Sequence, residues 1–281
     1  MKNVVITGGS SGIGLSAVKA FAALGYRVLI IARNQAKLDQ SAEAVRAEFP
    51  QSTIETYSLD LTDFKAVQSA SSYIKTLMPT IDILALNAGL YTGSNYQTGV
   101  SGYESMISAT HLGHFLLTQL LLDHLLKSED PRVVVTASEA HRVGGLDIDS
   151  FSSPKYSKLP YLGPIWGYGQ SKLANILFTR ELAKRLDSQD VFVSCFHPGV
   201  VDTGFSRNIP KRLVDFGSKF LITPEKGADT LVYLATDSTV ARLSGQYFYK
   251  RKVIKGNKKS RSDTLSKRLW DESEKILADY V

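Results

Sequence analysis

The chain of 281 residues, 43% of them hydrophobic, is long enough for one large α/β domain with a full core. Its single cysteine, Cys195, excludes an internal disulfide and implies a reducing compartment; set in an apolar run with no flanking base, it reads as a buried strand thiol rather than a nucleophile. The net charge of +6 is concentrated in Lys250, Arg251, Lys252, Lys255, Lys258, Lys259 and Arg261, which lack interleaved aromatics; this excludes nucleic acid as a partner and predicts a solvated, mobile basic loop with at most a peripheral membrane contact.

Met1-Lys2-Asn3 leads straight into an apolar run, so no signal peptide is expected, and no apolar stretch approaches the ~18–20 residues of a membrane span. The expected location is cytoplasmic. In chain order, strand-like runs at 4–7, 28–32, 54–58, 81–86, 133–137, 191–196 and 246–249 alternate with helical segments at 14–24, 35–49, 64–77, 102–127, 167–186 and 225–235, and a last helix is predicted at 265–280. This alternation predicts one α/β domain over 1–281: a Rossmann-type, doubly wound parallel sheet with helices on both faces. Two stretches break the pattern, 142–165 and 205–222. Both follow strand ends, where open α/β sheets bind ligands, so both are expected to cover a substrate.

The chemistry also unfolds in chain order. The first strand runs into Gly8-Gly9-Ser10-Ser11-Gly12-Ile13-Gly14, a glycine turn that opens a helix. Small residues there let the backbone approach a pyrophosphate at a helix N-terminus. After the second strand stands Ala32-Arg33-Asn34, where an NAD site usually carries an acid. Arg33 can instead grip a 2′-phosphate, which favours NADP(H). Asp60-Leu61 is placed to flank an adenine ring, and Asn87-Ala88-Gly89 makes a second tight turn against the dinucleotide. His111-x-x-His114 has helical spacing but no third ligand, so no metal is expected and a packing or helix-interface role is. His141 and His197 read as hydrogen-bonded structural histidines. Met106-Ile107 and the leucines of 115–126 are core or subunit-interface residues. Tyr156, Tyr161 and Trp166 are either an apolar substrate wall or packing for the insertion.

Of the thirteen tyrosines only Tyr168 has a lysine four residues on, Lys172, which places phenol and ammonium on one helix face. A phenol titrates near pH ~10, and a neighbouring cation is the direct way to make it exchange protons nearer neutrality. That pairing points to an oxidoreductase that moves a hydride and a proton together.

With the glycine turn, Asp60, Asn87-Ala88-Gly89, Ser138, Tyr168-x-x-x-Lys172 and Pro198-Gly199-Val200-Val201-Asp202-Thr203 in this order, nearly the whole chain resembles the short-chain dehydrogenase/reductase family. The runs from His111 to Thr118, Ser171 to Asn175 and Ser244 to Phe248 are similar to its retinol dehydrogenase and protochlorophyllide reductase branch. The resemblance implies that Tyr168 gives or takes the proton, that Ser138 hydrogen-bonds the same substrate oxygen, and that Lys172 binds the nicotinamide ribose and lowers the Tyr168 pKa. It implies that Pro198, Gly199, the Val201 backbone and Thr203 hold the nicotinamide. It also leaves a homo-oligomer, dimer or tetramer, open. Thr110 stands where the family has an asparagine that helps hold a water for proton resupply. The expected activity is reversible, NADPH-dependent reduction of an apolar ketone or aldehyde. A catalytically weak NADP-binding sensor and a peripheral-membrane retinoid or lipid dehydrogenase are the alternatives.

Overall fold

Eight strands form one sheet in the order β3-β2-β1-β4-β5-β6-β7-β8. They are β1 (Asn3–Thr7), β2 (Arg27–Ala32), β3 (Thr53–Ser58), β4 (Ile83–Leu86), β5 (Arg132–Thr136), β6 (Phe192–Phe196), β7 (Tyr247–Tyr249) and β8 (Lys252–Ile254). The computed structural model describes residues 1–93, 96–143, 145–159, 162–199 and 222–281. All neighbouring strands are parallel except β7 and β8, which form an antiparallel hairpin. The chain winds outward from β1 through β2 to β3, then returns to β4 and winds the other way. The switch between β1 and β4 opens a crevice beyond the carboxyl ends of the strands.

Strands β4, β5 and β6 are buried throughout, so they read as continuous apolar runs rather than as alternating ones. Side chains still alternate between the faces. Val4, Ile6, Val28, Ile30 and Val134 meet α1 (Gly12–Ala23), α2 (Gln35–Glu48) and α7 (Pro224–Thr236). Val5, Leu29, Ile31, Val133 and Val135 meet α3 (Phe64–Leu77), α5 (Gly113–Leu125), α6 (Leu162–Arg185) and α8 (Asp263–Leu277). The helix starts are capped by side chains: Asn34, Asp63 and Ser262 accept from Lys37, Ala66 and Leu265 N–H groups.

Three expectations need correction. The helix predicted at 102–127 begins three residues late, because Glu104 caps it by accepting the Ile107 N–H at 2.8 Å. It then runs as a short turn, α4 (Ser105–Ile107), a π-helical turn at Ser108–Leu112, and α5. The predicted start of the Tyr168 helix at 167 is late as well; α6 begins at Leu162 and takes Pro164 in its first turn, where a missing N–H costs little.

The basic run is not a mobile loop. It forms the β7–β8 hairpin and the short 3₁₀ turn Lys259–Arg261. Lys250 and Arg251 make the hairpin turn with positive φ at both, 47° and 62°, a conformation usually left to Gly or Asn. Arg251 is held there by a two-pronged contact with Asp229, by the Tyr233 ring 5.3 Å from its guanidinium, and by donation of its backbone N–H to Thr230 Oγ1.

Helix α8 closes the face formed by α5 and α6. Its Trp270 packs 4.7 Å from the Phe115 ring centroid and stacks on Phe178 at 6.0 Å, with the Arg185 guanidinium 4.4 Å from its own ring. Met106, Ile107, Phe115, Leu116, Leu117, Leu121 and Leu125 are thereby core residues of this chain.

Candidate active site

A cleft of about 530 Å³ lies at the carboxyl ends of the strands, on the switch between β1 and β4. Its first wall is the glycine turn, where Gly8 has φ +69° and donates its N–H to the Ile31 carbonyl at 2.7 Å. A Cβ at Gly14 would overlap the Gly8 carbonyl oxygen, so only glycine lets the turn fold this tightly onto α1. Ser11, the N-cap, adopts extended backbone and makes no side-chain cap. The first N–H groups of α1 therefore have no intrahelical partner and face the cleft as an anion cradle.

The turn is pinned by a chain of buried polar groups. The Thr7 hydroxyl accepts the N–H groups of Asn87 and Ala88, each at 3.0 Å, and donates to His114 Nε2 at 2.8 Å. His114 Nδ1–H donates to the Thr110 carbonyl at 3.0 Å. Burial pushes the His114 pKa down to about 3, so the ring stays neutral and keeps this one-donor, one-acceptor pattern. Asn87 Nδ2 donates to the Thr7 and Gly8 carbonyls, and Asn87 Oδ1 accepts from Thr136 Oγ1 at 3.2 Å. The ends of β1, β4 and β5 are thus joined to the π turn.

At the other end of the cleft a hydrogen bond joins the Ser138 and Tyr168 hydroxyls, and the Tyr91 ring stands edge-on to Tyr168 at 5.9 Å. Lys172 Nζ lies 5.6 Å from the Tyr168 ring centroid and donates to the Thr136 carbonyl at 2.9 Å. The Lys172 side chain is buried, which lowers its pKa to about 7. Burial raises the Tyr168 pKa to about 12 against the opposing hydrogen bond from Ser138. The expected lowering of Tyr168 by Lys172 is not found in the protein alone, where only the Ser138 hydrogen bond opposes desolvation. Tyr168 is a protonated phenol at neutral pH, the form that can donate to a carbonyl oxygen.

The family model for short chain dehydrogenases matches residues 2–158. The chain belongs to the short-chain dehydrogenase family. It is 35% identical to human retinol dehydrogenase 14 over 97% of this chain and 85% of that protein, and 36% identical to human retinol dehydrogenase 12 over 98% and 86%. It is also 33% identical to the chicken WW domain-containing oxidoreductase, over 100% of this chain and 69% of that one. Among solved structures, an uncharacterised protein from Mycobacterium paratuberculosis superposes with a TM-score of 0.79 at 27% identity, covering 99% of this chain and 94% of that one. A short chain dehydrogenase from Shigella flexneri complexed with NADP superposes at 0.69 and 26%, covering 88% and 95%.

In this dehydrogenase the cleft is lined by Gly8, Ser10, Ser11, Gly12, Ile13, Gly14, Arg33, Asn34, Leu61, Asn87, Ala88, Gly89, Ser138, Tyr168, Lys172, Pro198 and Gly199, all singled out in the sequence. Asp60 is not among the lining residues; its carboxylate accepts the Thr62 N–H at 2.9 Å and shapes the turn that presents Leu61. Thr110 does not line the cleft either. It is fully buried in the π turn, and its hydroxyl accepts the Leu90 N–H at 3.3 Å. Val201, Thr203 and residues 205–221 lie outside the described residues.

The described residues of 142–165 do not line the cleft. Tyr156 packs them onto the domain: its hydroxyl accepts from Gln170 Nε2 at 3.2 Å, while Gln170 Oε1 accepts the Asp147 N–H. Trp166 is 44% exposed, and Tyr161 lies outside the described residues. His111 bonds Ser273 on α8 while His114 bonds Thr7 on β1, so the two rings serve different interfaces; no metal cluster is found among the described residues. His197 Nδ1 accepts the Gly199 N–H, and its ring stacks on Tyr249 at 4.1 Å. Cys195 is buried, its thiol pushed up to about 12 by burial.

Sequence reasoning missed Lys37. It lines the cleft beside Arg33 because the Asn34 cap fixes the first turn of α2, which carries Lys37. A helix cap just after a strand end, with a cation three residues on, is the signal that could have found it. The guanidinium of Arg33 and the ammonium of Lys37 are exposed and make no ion pair among the described residues.

Proposed function

We propose that this short-chain dehydrogenase reduces an apolar ketone or aldehyde with NADPH, reversibly, and works in a cytoplasmic, reducing setting. The observation that carries the reading is the half-buried Ser138–Tyr168 pair with the buried Lys172 beside it, holding a phenol that is protonated at neutral pH. The glycine cradle, the N-terminus of α1 and the cations Arg33 and Lys37, which make no ion pair among the described residues, fit a dinucleotide with a 2′-phosphate. NADP or NADPH complexes among structural relatives, including the Shigella flexneri protein, support that choice.

NADPH, when bound, supplies the hydride. The chain's own residues do the rest. The Ser138 hydroxyl donates to the substrate carbonyl oxygen and fixes it beside Tyr168. Tyr168 Oη transfers its proton to that oxygen as the carbonyl carbon gains the hydride, which leaves an alcohol and a tyrosinate. Lys172 stabilises that developing negative charge from the same helix face, the state in which its cation counts most.

Similarity to proteins named retinol dehydrogenases supports a long, apolar alcohol or aldehyde as substrate. Among the described residues no helix is long and apolar enough to cross a membrane. The test is NADPH oxidation by the native protein with a panel from acetone to nonanal and retinaldehyde, alongside Tyr168→Phe. Tight NADPH binding with no oxidation of any carbonyl would favour a cofactor-binding sensor instead.

A further inference from the structure

Ser138 sits in extended backbone just after β5, at the head of a 3₁₀ turn, and that turn is held from a distant part of the chain. Its hydroxyl accepts the Ala140 N–H at 3.2 Å. Its carbonyl accepts the His141 N–H at 3.1 Å and the His141 Nδ1–H at 2.7 Å. With Nδ1 assigned as the donor, Nε2 is an acceptor, and the backbone N–H of Asn257 donates to it at 3.3 Å. Asn257 Nδ2 donates to the His141 carbonyl at 3.2 Å, and Arg142 Nη2 donates to the Lys255 carbonyl at 3.3 Å.

Residues 255–257 therefore hold the serine turn at three points. Asn257 is itself fixed, since its Oδ1 accepts the Ser260 N–H and its carbonyl accepts the Ser260 hydroxyl, each at 2.9 Å. Gly256 permits the close approach: a Cβ there would lie 3.3 Å from His141 Nε2 and collide with Ser260 Oγ. His141 is fully buried, so its ring has no water to replace a lost partner.

We propose that Asn257 is a positioning residue for Ser138, acting through His141. The inference rests on the reductase reading, in which the Ser138 hydroxyl must meet both Tyr168 and a substrate oxygen. Displacement of a reacting group by about 1 Å can cost on the order of a hundredfold in rate, so a tie that fixes the serine carbonyl fixes the chemistry. The tie also depends on neutral His141, because protonation turns Nε2 into a donor facing the Asn257 N–H. The charged and titratable groups around His141 are Glu139 and Arg142 on its own turn, His197 beyond β6 and Tyr247 on β7; Lys255, Lys258 and Lys259 on the packed segment are exposed.

The test compares native protein, Asn257→Ala and the isosteric Asn257→Asp in NADPH-dependent reduction of nonanal. Asn257→Ala is expected to lower kcat roughly tenfold while KM for NADPH stays within about twofold. Asn257→Asp places a carboxylate against His141, favours its cation, and moves the acid limb of kcat to higher pH; it carries the test alone if the alanine variant does not fold. An unchanged kcat and acid limb, or a loss shared equally by NADPH affinity, overturns the proposal. Should the native protein turn over no carbonyl, the reductase reading fails by itself. The tie is then read from the ¹³Cζ signal of Tyr168, which reports its bond to Ser138: a shift in Asn257→Ala supports the tie, and an unmoved signal refutes it.

Discussion

At the glycine-turn end of the cleft a ligand meets backbone N–H groups and exposed cations; at the Tyr168 end it meets half-buried hydroxyls backed by a buried lysine. The first end is built from conformation, through Gly8, Gly14 and the free start of α1, with Arg33 and Lys37 as solvated charges. The second is built from desolvation, which holds Tyr168 protonated and makes the charged form of Lys172 costly. The difference separates affinity from rate. Changes at the first end should act on cofactor binding and be screened by salt, whereas changes at the second should act on turnover and on pH dependence.

The sharpest way to break this division is Tyr168→Phe. It is expected to lower kcat by about 10²–10⁴ and leave NADPH affinity near native, measured by steady-state kinetics and by fluorescence titration. Turnover above about a hundredth of native would sink the proton-donor role. Next comes Arg33→Ala, for which the preference for NADPH over NADH should drop about tenfold to a hundredfold, as expected for a charge-assisted contact of roughly 1.5–3 kcal/mol. Equal native affinity for the two cofactors would remove the basis for that expectation. Lys37→Ala should act in the same direction by a few-fold, an effect that fades as salt rises, because a solvated ammonium is a weaker and more screened partner than a guanidinium fork.

A finer measurement concerns stability. Lys172 has a folded pKa near 7 against an ordinary value of 10.5, so between these limits the unfolded chain binds more protons than the folded one. Stability of the ligand-free protein should therefore rise with pH across that window. Above pH 10 the sign reverses, because Tyr168 holds its proton to about 12 in the fold while the unfolded phenol releases it. Calorimetry of Lys172→Met should flatten the rising limb; an unchanged slope would show that other groups set it.

The two ends also differed in how openly the sequence displayed them. The glycine turn and the Tyr168–Lys172 pair are local patterns, with spacings dictated by a tight turn and by one helical turn, and both lie where expected. What holds them is non-local. Thr7 and His114 meet across 107 positions, and Asn257 and His141 across 116, and no window along the chain records such a pairing. The hairpin at Lys250-Arg251 was hidden for another reason. Its turn lacks the Gly or Asn that signals positive φ, and the contacts that stabilise it, with Asp229 and Tyr233, come from α7. The π turn at Ser108–Leu112 was hidden because residues 104–118 are buried on every side, so the segment carries no one-sided apolar stripe whose phase could betray the extra residue.

Helix α8 has one more consequence. By laying Trp270 over Phe115 and Phe178, the chain covers the α5–α6 face with its own tail. A face closed by a tethered segment is governed by an effective concentration fixed by the covalent connection, not by how much protein is in solution. Its burial is complete in a single molecule at any dilution, so this part of the core adds no concentration dependence to the unfolding midpoint.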